Sequence, residues 1–160
     1  MRMRGMVEQQ EIHRLGTQTH AIPPQLQELI THWLRKCEGR AAPLREDFGH
    51  RDLRPWWGHL AIFGVLDDSD FVVRLAGTNL IRRFGREATN LRVGELALDI
   101  GRHLRDVLKA TLKAGGPVIA TSAVQLGRST HWHSEVAMPL ASLEMPRGMI
   151  LFGSYPLGEG

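Results

Sequence analysis

Cysteine is almost absent from this sequence. Of 160 residues only Cys37 carries a thiol, which excludes an intramolecular disulfide and a cysteine-rich metal site within one chain. Long apolar runs are also lacking. The longest, 59–66 and 148–155, fall far short of the roughly 20 residues that cross a bilayer, and the first residues lack the apolar stretch of a secretory signal. We therefore expect a soluble, cytoplasmic protein with no membrane partner.

Net charge is small as well, at +3. The positive side chains are unevenly placed, however, since residues 71–105 hold seven arginines against three acidic residues. Such a patch can attract phosphate, but no nucleic-acid-binding motif accompanies it. We do not expect nucleic acid to be a partner.

The first 40 residues divide into two parts. Residues 1–22 are polar and aperiodic, which predicts a flexible N-terminal arm. Residues 23–40 predict an amphipathic helix, because Pro24 suits a first helical turn, Gly39 ends the pattern, and the apolar positions recur at helical spacing. This helix needs a surface to cover, either its own sheet or a second subunit, and we expect a homodimer. Its apolar face consists of Leu26, Leu29, Ile30, Trp33, Leu34 and Cys37.

Residues 41–160 predict one α+β domain. Two apolar segments, 59–66 and 71–77, flank an acidic turn and favour a β-hairpin. A short helix over 79–84, with Thr78 as its N-cap and Gly85 as its end, and a longer one over 100–114, capped by Asp99, come next. Three further strands are predicted over 117–126, 131–140 and 148–155. This order predicts a five-stranded antiparallel sheet with helices on one face and the N-terminal helix in addition.

Two linked motifs identify a family resemblance. The strand end Arg74-Leu75-Ala76-Gly77-Thr78 is followed by Phe84-Gly85-Arg86-Glu87. Both motifs, in this element order, resemble a group of short, often stand-alone bacterial PAS proteins, and the resemblance runs from about residue 44 to 157. One departure is Asn90, where that group typically has glycine; asparagine tolerates a positive φ, so we expect the turn to survive.

The motif residues have structural interpretations of their own. Gly77 permits a tight strand exit and Phe84 can fill space beneath the sheet. Arg74 places a charge inside an apolar strand, which is costly unless it is paired. We predict an ion pair between Arg74 and Glu87. The motif residues with an expected structural role are Arg74, Gly77, Thr78, Gly85, Arg86 and Glu87.

The resemblance implies a sensory or regulatory module that binds a small apolar or amphipathic ligand, an unidentified signalling protein, or both. A ligand would lie between the helices and the sheet, and its binding would shift the helix docked on the sheet. No kinase, cyclase or DNA-binding segment is recognised, so output is expected to pass through another protein. The predicted pocket residues are Phe63, Leu75, Phe84, His103, Val107, Trp132 and Ser134.

Cofactor chemistry has few candidates. His103 lies at the edge of the apolar face of the long helix; a heme-ligand role is open, but a partly buried structural histidine is the favoured interpretation. Flavin–cysteine photochemistry is not expected, because Cys37 lies in the wrong helix. His131, His133 and Glu135 share one strand parity, which metal sites sometimes use, but the pattern is more typical of an exposed polar strand face.

Two other functions remain open. A small enzyme on an α+β roll, such as an isomerase or dehydratase, needs an acid or base inside its cavity, and Glu135 is the main strand carboxylate available. We expect no enzymatic activity. A protein adaptor without a ligand has the same sequence features as a ligand sensor. Trp56 and Trp57 fit either a partner surface or, as we prefer, core packing.

Overall fold

The computed structural model describes residues 6–16, 21–126 and 128–159. Within them lie six strands, four α-helices and three short 3-10 helices. The helices and strands are, in chain order, β1 (Met6–Arg14), α1 (Pro24–Cys37), α2 (His50–Leu53), β2 (Leu60–Val65), β3 (Phe71–Ala76), α3 (Thr78–Phe84), α4 (Leu98–Ala114), β4 (Val118–Leu126), β5 (Ser129–Leu140) and β6 (Met149–Glu159).

All six strands form one antiparallel sheet in the order β1-β4-β5-β6-β2-β3. The five predicted strands and the α+β class are confirmed. The hairpin of β2 and β3 joins the later strands through β6, which pairs with β2 from Gly153 to Met149. The helical segment between β3 and β4 therefore crosses one face of a single sheet.

The sixth strand corrects the prediction of a loose arm. Residues 6–14 pair with β4 from Met6 opposite Gln125 to Arg14 opposite Val118. Their sequence is polar and has weak strand propensity, but β4 would otherwise be an open edge with unpaired backbone groups. Tertiary context therefore determines this strand. Residues 1–5 and 17–20 of the predicted arm lie outside the described residues.

One face of the sheet, here called the inner face, is covered by α3 and α4. Their apolar side chains interlock with those of the strands, and the pattern of alternate residues along β2 and β6 assigns Phe63 and Phe152 to this side. Their rings pack edge to face, with centroids 5.9 Å apart. At about 1.5 to 3 kcal/mol for each large side chain fully buried, this cluster is a main source of stability.

The opposite, outer face is covered by α1 of the same chain. Leu26, Leu29, Ile30 and Trp33 are buried against the sheet, and Trp33 Nε1 donates to the Pro139 carbonyl at 2.9 Å. The predicted helix is confirmed, and it packs in cis, so these four residues are not available to a second subunit. The prediction is wrong for Leu34, which is 52% exposed.

The aromatic pair before β2 contributes to the outer cluster. Trp56 is buried, and its Nε1 donates to the Gln25 carbonyl at 2.8 Å. Trp57 is half-buried against the same cluster. The core-packing interpretation of this pair is confirmed.

The helix ends differ from prediction at the N-terminal side. Gly77, not Thr78, is the N-cap of α3, and Ala97, not Asp99, is the N-cap of α4; neither helix has a side-chain cap. Thr78 and Asp99 instead lie in the first turn, where an acidic side chain favours the helix dipole. Gly85 ends α3 with φ of 79° as predicted, and Asn90 adopts φ of 73°.

Among the described residues, no helix combines the length and apolar character needed to span a membrane.

Candidate functional site

A charged cluster lies between the inner face of the sheet and the two crossing helices. Glu135 of β5 is its centre and has no exposed surface. Arg83 of α3 pairs with Glu135 Oε2, and His103 Nε2 of α4 lies 2.6 Å from Glu135 Oε1. A buried carboxylate is tolerated only when it is paired and hydrogen-bonded. Here each of its oxygens has its own partner.

Arg83 also connects the cluster to two neighbouring strands. Its guanidinium donates to Ser154 Oγ of β6 at 2.8 Å and to Ser122 Oγ of β4 at 3.0 Å. Both serines are buried. The Arg83 side chain is only 11% exposed, and its buried Nε has no hydrogen-bond partner in the part of the chain that the structure describes. One donor of the cluster is therefore unsatisfied.

His103 links the cluster to the N-terminal strand. Its Nδ1 lies 2.5 Å from Oε1 of Gln10 on β1, while Gln10 Nε2 donates to Asp106 Oδ2 at 2.9 Å. The carboxylate of Asp106 fixes the orientation of the amide, so that its oxygen faces the imidazole. His103 thus faces an oxygen atom at each of its ring nitrogens.

The electrostatics of Glu135 follow from these contacts. Burial favours its neutral form and raises the pKa, but the charges and hydrogen bonds of Arg83 and His103 outweigh burial and lower the pKa to about 2. Glu135 is therefore a carboxylate throughout the neutral range. An arginine and a histidine thus surround one buried carboxylate.

His133 lies two residues before Glu135 on the same strand parity. Burial and, next, the positive charge of Arg83 lower its pKa to about 4, and the negative charge of Glu135 only partly compensates. His133 is half-buried and neutral at neutral pH. It can therefore offer one donor and one acceptor beside the charged cluster.

Four of the predicted pocket residues do lie together on the inner face. Phe63, Phe84 and Val107 belong to its apolar cluster and are at most 5% exposed, and His103 is 2% exposed. Their side chains pack against one another and around the charged cluster. They form part of a filled core.

The other three predicted pocket residues lie on the outer face, which corrects the prediction. Leu75 is opposite Ile62 because the register shifts by one residue between Ile62 and Phe63, and it packs on the outer cluster. Ser134 has the opposite parity to Glu135 and is paired with Tyr155 of the outer cluster. Trp132 shares the parity of Ser134 and is half-buried.

The predicted ion pair between Arg74 and Glu87 is wrong. Arg74 pairs with Glu144, and its side chain is 35% exposed, so the charge does not lie inside the apolar interior. Glu87 accepts hydrogen bonds from the backbone and hydroxyl of Thr89, at 3.1 and 2.7 Å. Arg86 is exposed.

Gly77 has a structural role at the exit of β3, as predicted, but the reason is the lack of space for a side chain and not the backbone conformation. A Cβ at this position would lie 2.1 Å from the Trp57 carbonyl oxygen. The backbone of Gly77 itself, with φ of −78° and ψ of 169°, is open to any residue.

The residues do not fit the heme or metal alternatives. Both nitrogens of His103 are engaged with oxygen acceptors, so heme iron would have to break one of these contacts. The prediction of an exposed polar strand face is wrong for Glu135. Its carboxylate is buried, where it pairs with Arg83 and His103. Within the described residues, no three His, Cys, Asp or Glu side chains are grouped closely enough to hold a metal ion.

Sequence reasoning missed the partners of Glu135. Arg83 was counted only as one of seven arginines, although it follows the buried Leu80 by three residues and thus shares its helix face. The sequence signal for Ser122 and Ser154 is weaker. Ser122 lies two residues after Ala120 and Ser154 two residues after Phe152, so strand alternation places both serines on the inner face. No local signal indicated Gln10, since its strand was not predicted.

The comparison with known protein families agrees with this architecture. The PAS_5 family model, described as a PAS domain, matches residues 22–154, from just before α1 into β6. A search of curated proteins finds no match. The match leaves β1 outside the shared domain and includes Arg83, Glu135 and His103. Because it takes in most of the chain, and the sheet and its crossing helices are those expected from the sequence motifs, this chain belongs to the PAS_5 family of PAS domains.

Proposed function

We propose that this PAS domain, a sensory and regulatory module, acts in signal transduction by binding a small anionic ligand at the Arg83–Glu135–His103 cluster. One observation carries the proposal. The buried cluster contains an Arg83 Nε that has no hydrogen-bond partner among the described residues. An anion beside Arg83 would satisfy this donor, and charge-assisted hydrogen bonds to arginine are among the stronger ones.

The surroundings of Arg83 support a polar ligand rather than the apolar or amphipathic one expected from the sequence. Apolar side chains already fill the inner face, with Phe63, Val107 and Phe152 fully buried. Besides the Glu135 carboxylate, the polar groups that Arg83 contacts are the hydroxyls of Ser122 and Ser154. A small carboxylate-bearing or phosphate-bearing molecule matches the two hydroxyls, since each accepts a hydrogen bond from Arg83 and keeps its own hydrogen to donate to an anion.

Absence of enzymatic activity and a cytoplasmic location remain predictions. Glu135 is the carboxylate that an enzyme on this fold would use, but its pKa of about 2 makes it a weak base at neutral pH. Output through an unidentified signalling protein is part of the same proposal, and a ligand-free adaptor is its main competitor.

Native mass spectrometry of the full chain, purified from its own host, tests the proposal. We expect an additional mass from a small molecule that bears a carboxylate or phosphate. Thermal unfolding with acetate, pyruvate and succinate as probes, each compared with its neutral amide at equal ionic strength, should show stabilisation by the acids only.

Two adjacent arginines provide matched variants. Arg83→Gln removes the cluster guanidinium, whereas Arg82→Gln changes an exposed residue on the same helix. We expect Arg82→Gln to retain the ligand and Arg83→Gln to bind at least tenfold more weakly, which is about 1.4 kcal/mol. Ser122→Ala, a milder change, covers the case in which Arg83→Gln does not fold. Protein that carries no small molecule and responds to no acid would overturn the proposal in favour of the adaptor.

A further inference from the structure

A polar cleft lies where the turn between β2 and β3, the 3-10 helix Val93–Glu95 and α4 meet. Its volume is about 450 Å³, which is within the range of small-molecule sites. Charges of both signs line it, and Arg83, Glu135 and His103 are not part of this lining. The lining residues are Ser69, Asp70, Arg92, Gly94, Glu95 and Arg105.

Arg105 of α4 lines this cleft without a partner for its charge. Its Nε is buried and has no hydrogen-bond partner in the described part of the chain. The ion pairs between arginine and carboxylate within the described residues do not include it. The end of the side chain lies close to Gly94, since a Cβ at position 94 would be 2.9 Å from Arg105 Nη2. A guanidinium partly withdrawn from water favours an anionic partner.

The same cleft contains a carboxylate without a cationic partner. Glu95 is exposed, and its Oε2 accepts a hydrogen bond from the backbone N–H of Arg92 at 2.8 Å. The ion pairs of the described residues leave Glu95 out, whereas the other two charges of the cleft, Arg92 and Asp70, pair with each other at 3.2 Å. The cleft therefore presents one unpaired charge of each sign.

We propose that this cleft binds a zwitterion of the α-amino acid class, with its carboxylate on Arg105 and its ammonium group on Glu95. Charge complementarity selects this class. A simple anion would meet the carboxylates of Asp70 and Glu95, and a simple cation would meet two guanidinium groups. An α-amino acid carries both charges in a molecule small enough for the cleft. Its binding would link α4 to the 3-10 helix before it.

Thermal unfolding of the full chain with each of the common L-amino acids tests the class. We expect at least one of them to raise the melting temperature in a concentration-dependent manner. The N-acetyl derivative of that amino acid keeps only the negative charge, and its amide keeps only the positive one. Both should therefore bind about tenfold or more weakly. A panel with no stabilising amino acid, or an N-acetyl derivative that binds as tightly as the free amino acid, would overturn the proposal.

Matched variants on the same elements locate the site. Arg105→Gln and Glu95→Gln each remove one of the unpaired charges and should weaken binding of the stabilising amino acid about tenfold or more. Gly94→Ala keeps both charges but places a methyl group where the Arg105 guanidinium lies, so it should weaken binding as well. Arg102→Gln changes an exposed residue of α4 and should bind like wild type.

The variants of the inner cluster separate this site from the one proposed above. Binding of the amino acid should survive Arg83→Gln, or Ser122→Ala where Arg83→Gln does not fold, and the small acids should still bind to Arg105→Gln. Amino-acid binding that is kept in Arg105→Gln and lost in the inner-cluster variant would overturn this second site. That outcome leaves the proposal for the inner cluster intact, just as a failure of the small acids alone leaves this one intact.

Discussion

Glu135 Oε1 lies 2.6 Å from His103 Nε2, in the interior of the domain and at the junction of β5 with α4. The other oxygen of the same carboxylate is held by Arg83 of α3. The carboxylate thereby fastens both crossing helices to the sheet. A structural change at this cluster would therefore shift α3, α4 and, through Gln10, β1. A sensory input site requires such a connection between the site and the surrounding elements.

Glu135→Gln should strongly destabilise the protein. The substitution keeps the size of the side chain but leaves Arg83 and His103 without a buried anion, and breaking a buried ion pair on one side costs about 3 to 5 kcal/mol. Urea unfolding followed by circular dichroism measures the change. Glu28→Gln, on the exposed side of α1, is the control and should stay within about 0.5 kcal/mol of wild type. A loss below about 1 kcal/mol in Glu135→Gln would show that the cluster is not formed.

His133 should make stability fall as the pH falls from 6.5 to 4. Its pKa is about 4 in the folded protein against 6.5 unfolded. Between these values the unfolded chain binds a proton and the folded one does not, so acid favours unfolding. Below pH 4 both states are protonated and the loss is constant.

Unfolding free energies of wild type and His133→Gln, measured across pH 4 to 7, isolate this contribution. The ceiling is about 1.4 kcal/mol per pH unit, and solvent around the half-buried ring reduces it. The difference between the two proteins should grow toward acid. Parallel curves would show that His133 titrates alike in both states. Glu135, with its pKa of about 2, contributes a further loss only as the pH falls below about 4.5.

Local pattern predicted most of this fold. The apolar periodicity of α1, the turn residues between strands and the glycines at helix ends act within a few residues, so five strands and the main helices follow from the sequence. The failures involve long-range pairing. Strand β1 exists because of β4, more than a hundred residues away, and Glu135 points inward because Arg83 and His103 meet it there. A rule that places charges outside cannot anticipate such partners.

Gly77→Ala should destabilise the domain by about 2 kcal/mol. The new methyl group would lie 2.1 Å from the Trp57 carbonyl oxygen, so the start of α3 must shift against the turn before β2, and overpacking of this kind costs about 1 to 3 kcal/mol. Gly116→Ala is the matched control, because its Cβ meets nothing within 4 Å. The control should be neutral or stabilising by up to about 1 kcal/mol. Equal melting temperatures for both variants would refute the close contact.

Ser134→Ala should leave stability unchanged or raise it by up to about 1 kcal/mol. The Ser134 hydroxyl is buried on the outer face and finds no hydrogen-bond partner among the described residues, and removing an unsatisfied buried polar group relieves its desolvation penalty. Ser154→Ala is the matched comparison, since Ser154 is buried on the inner face and accepts a hydrogen bond from Arg83 at 2.8 Å. That variant leaves a charged donor unpaired and should lose about 1 to 3 kcal/mol. Unfolding curves in which Ser134→Ala loses as much as Ser154→Ala would mean that the Ser134 hydroxyl has a partner, and that the outer face holds a polar contact of its own.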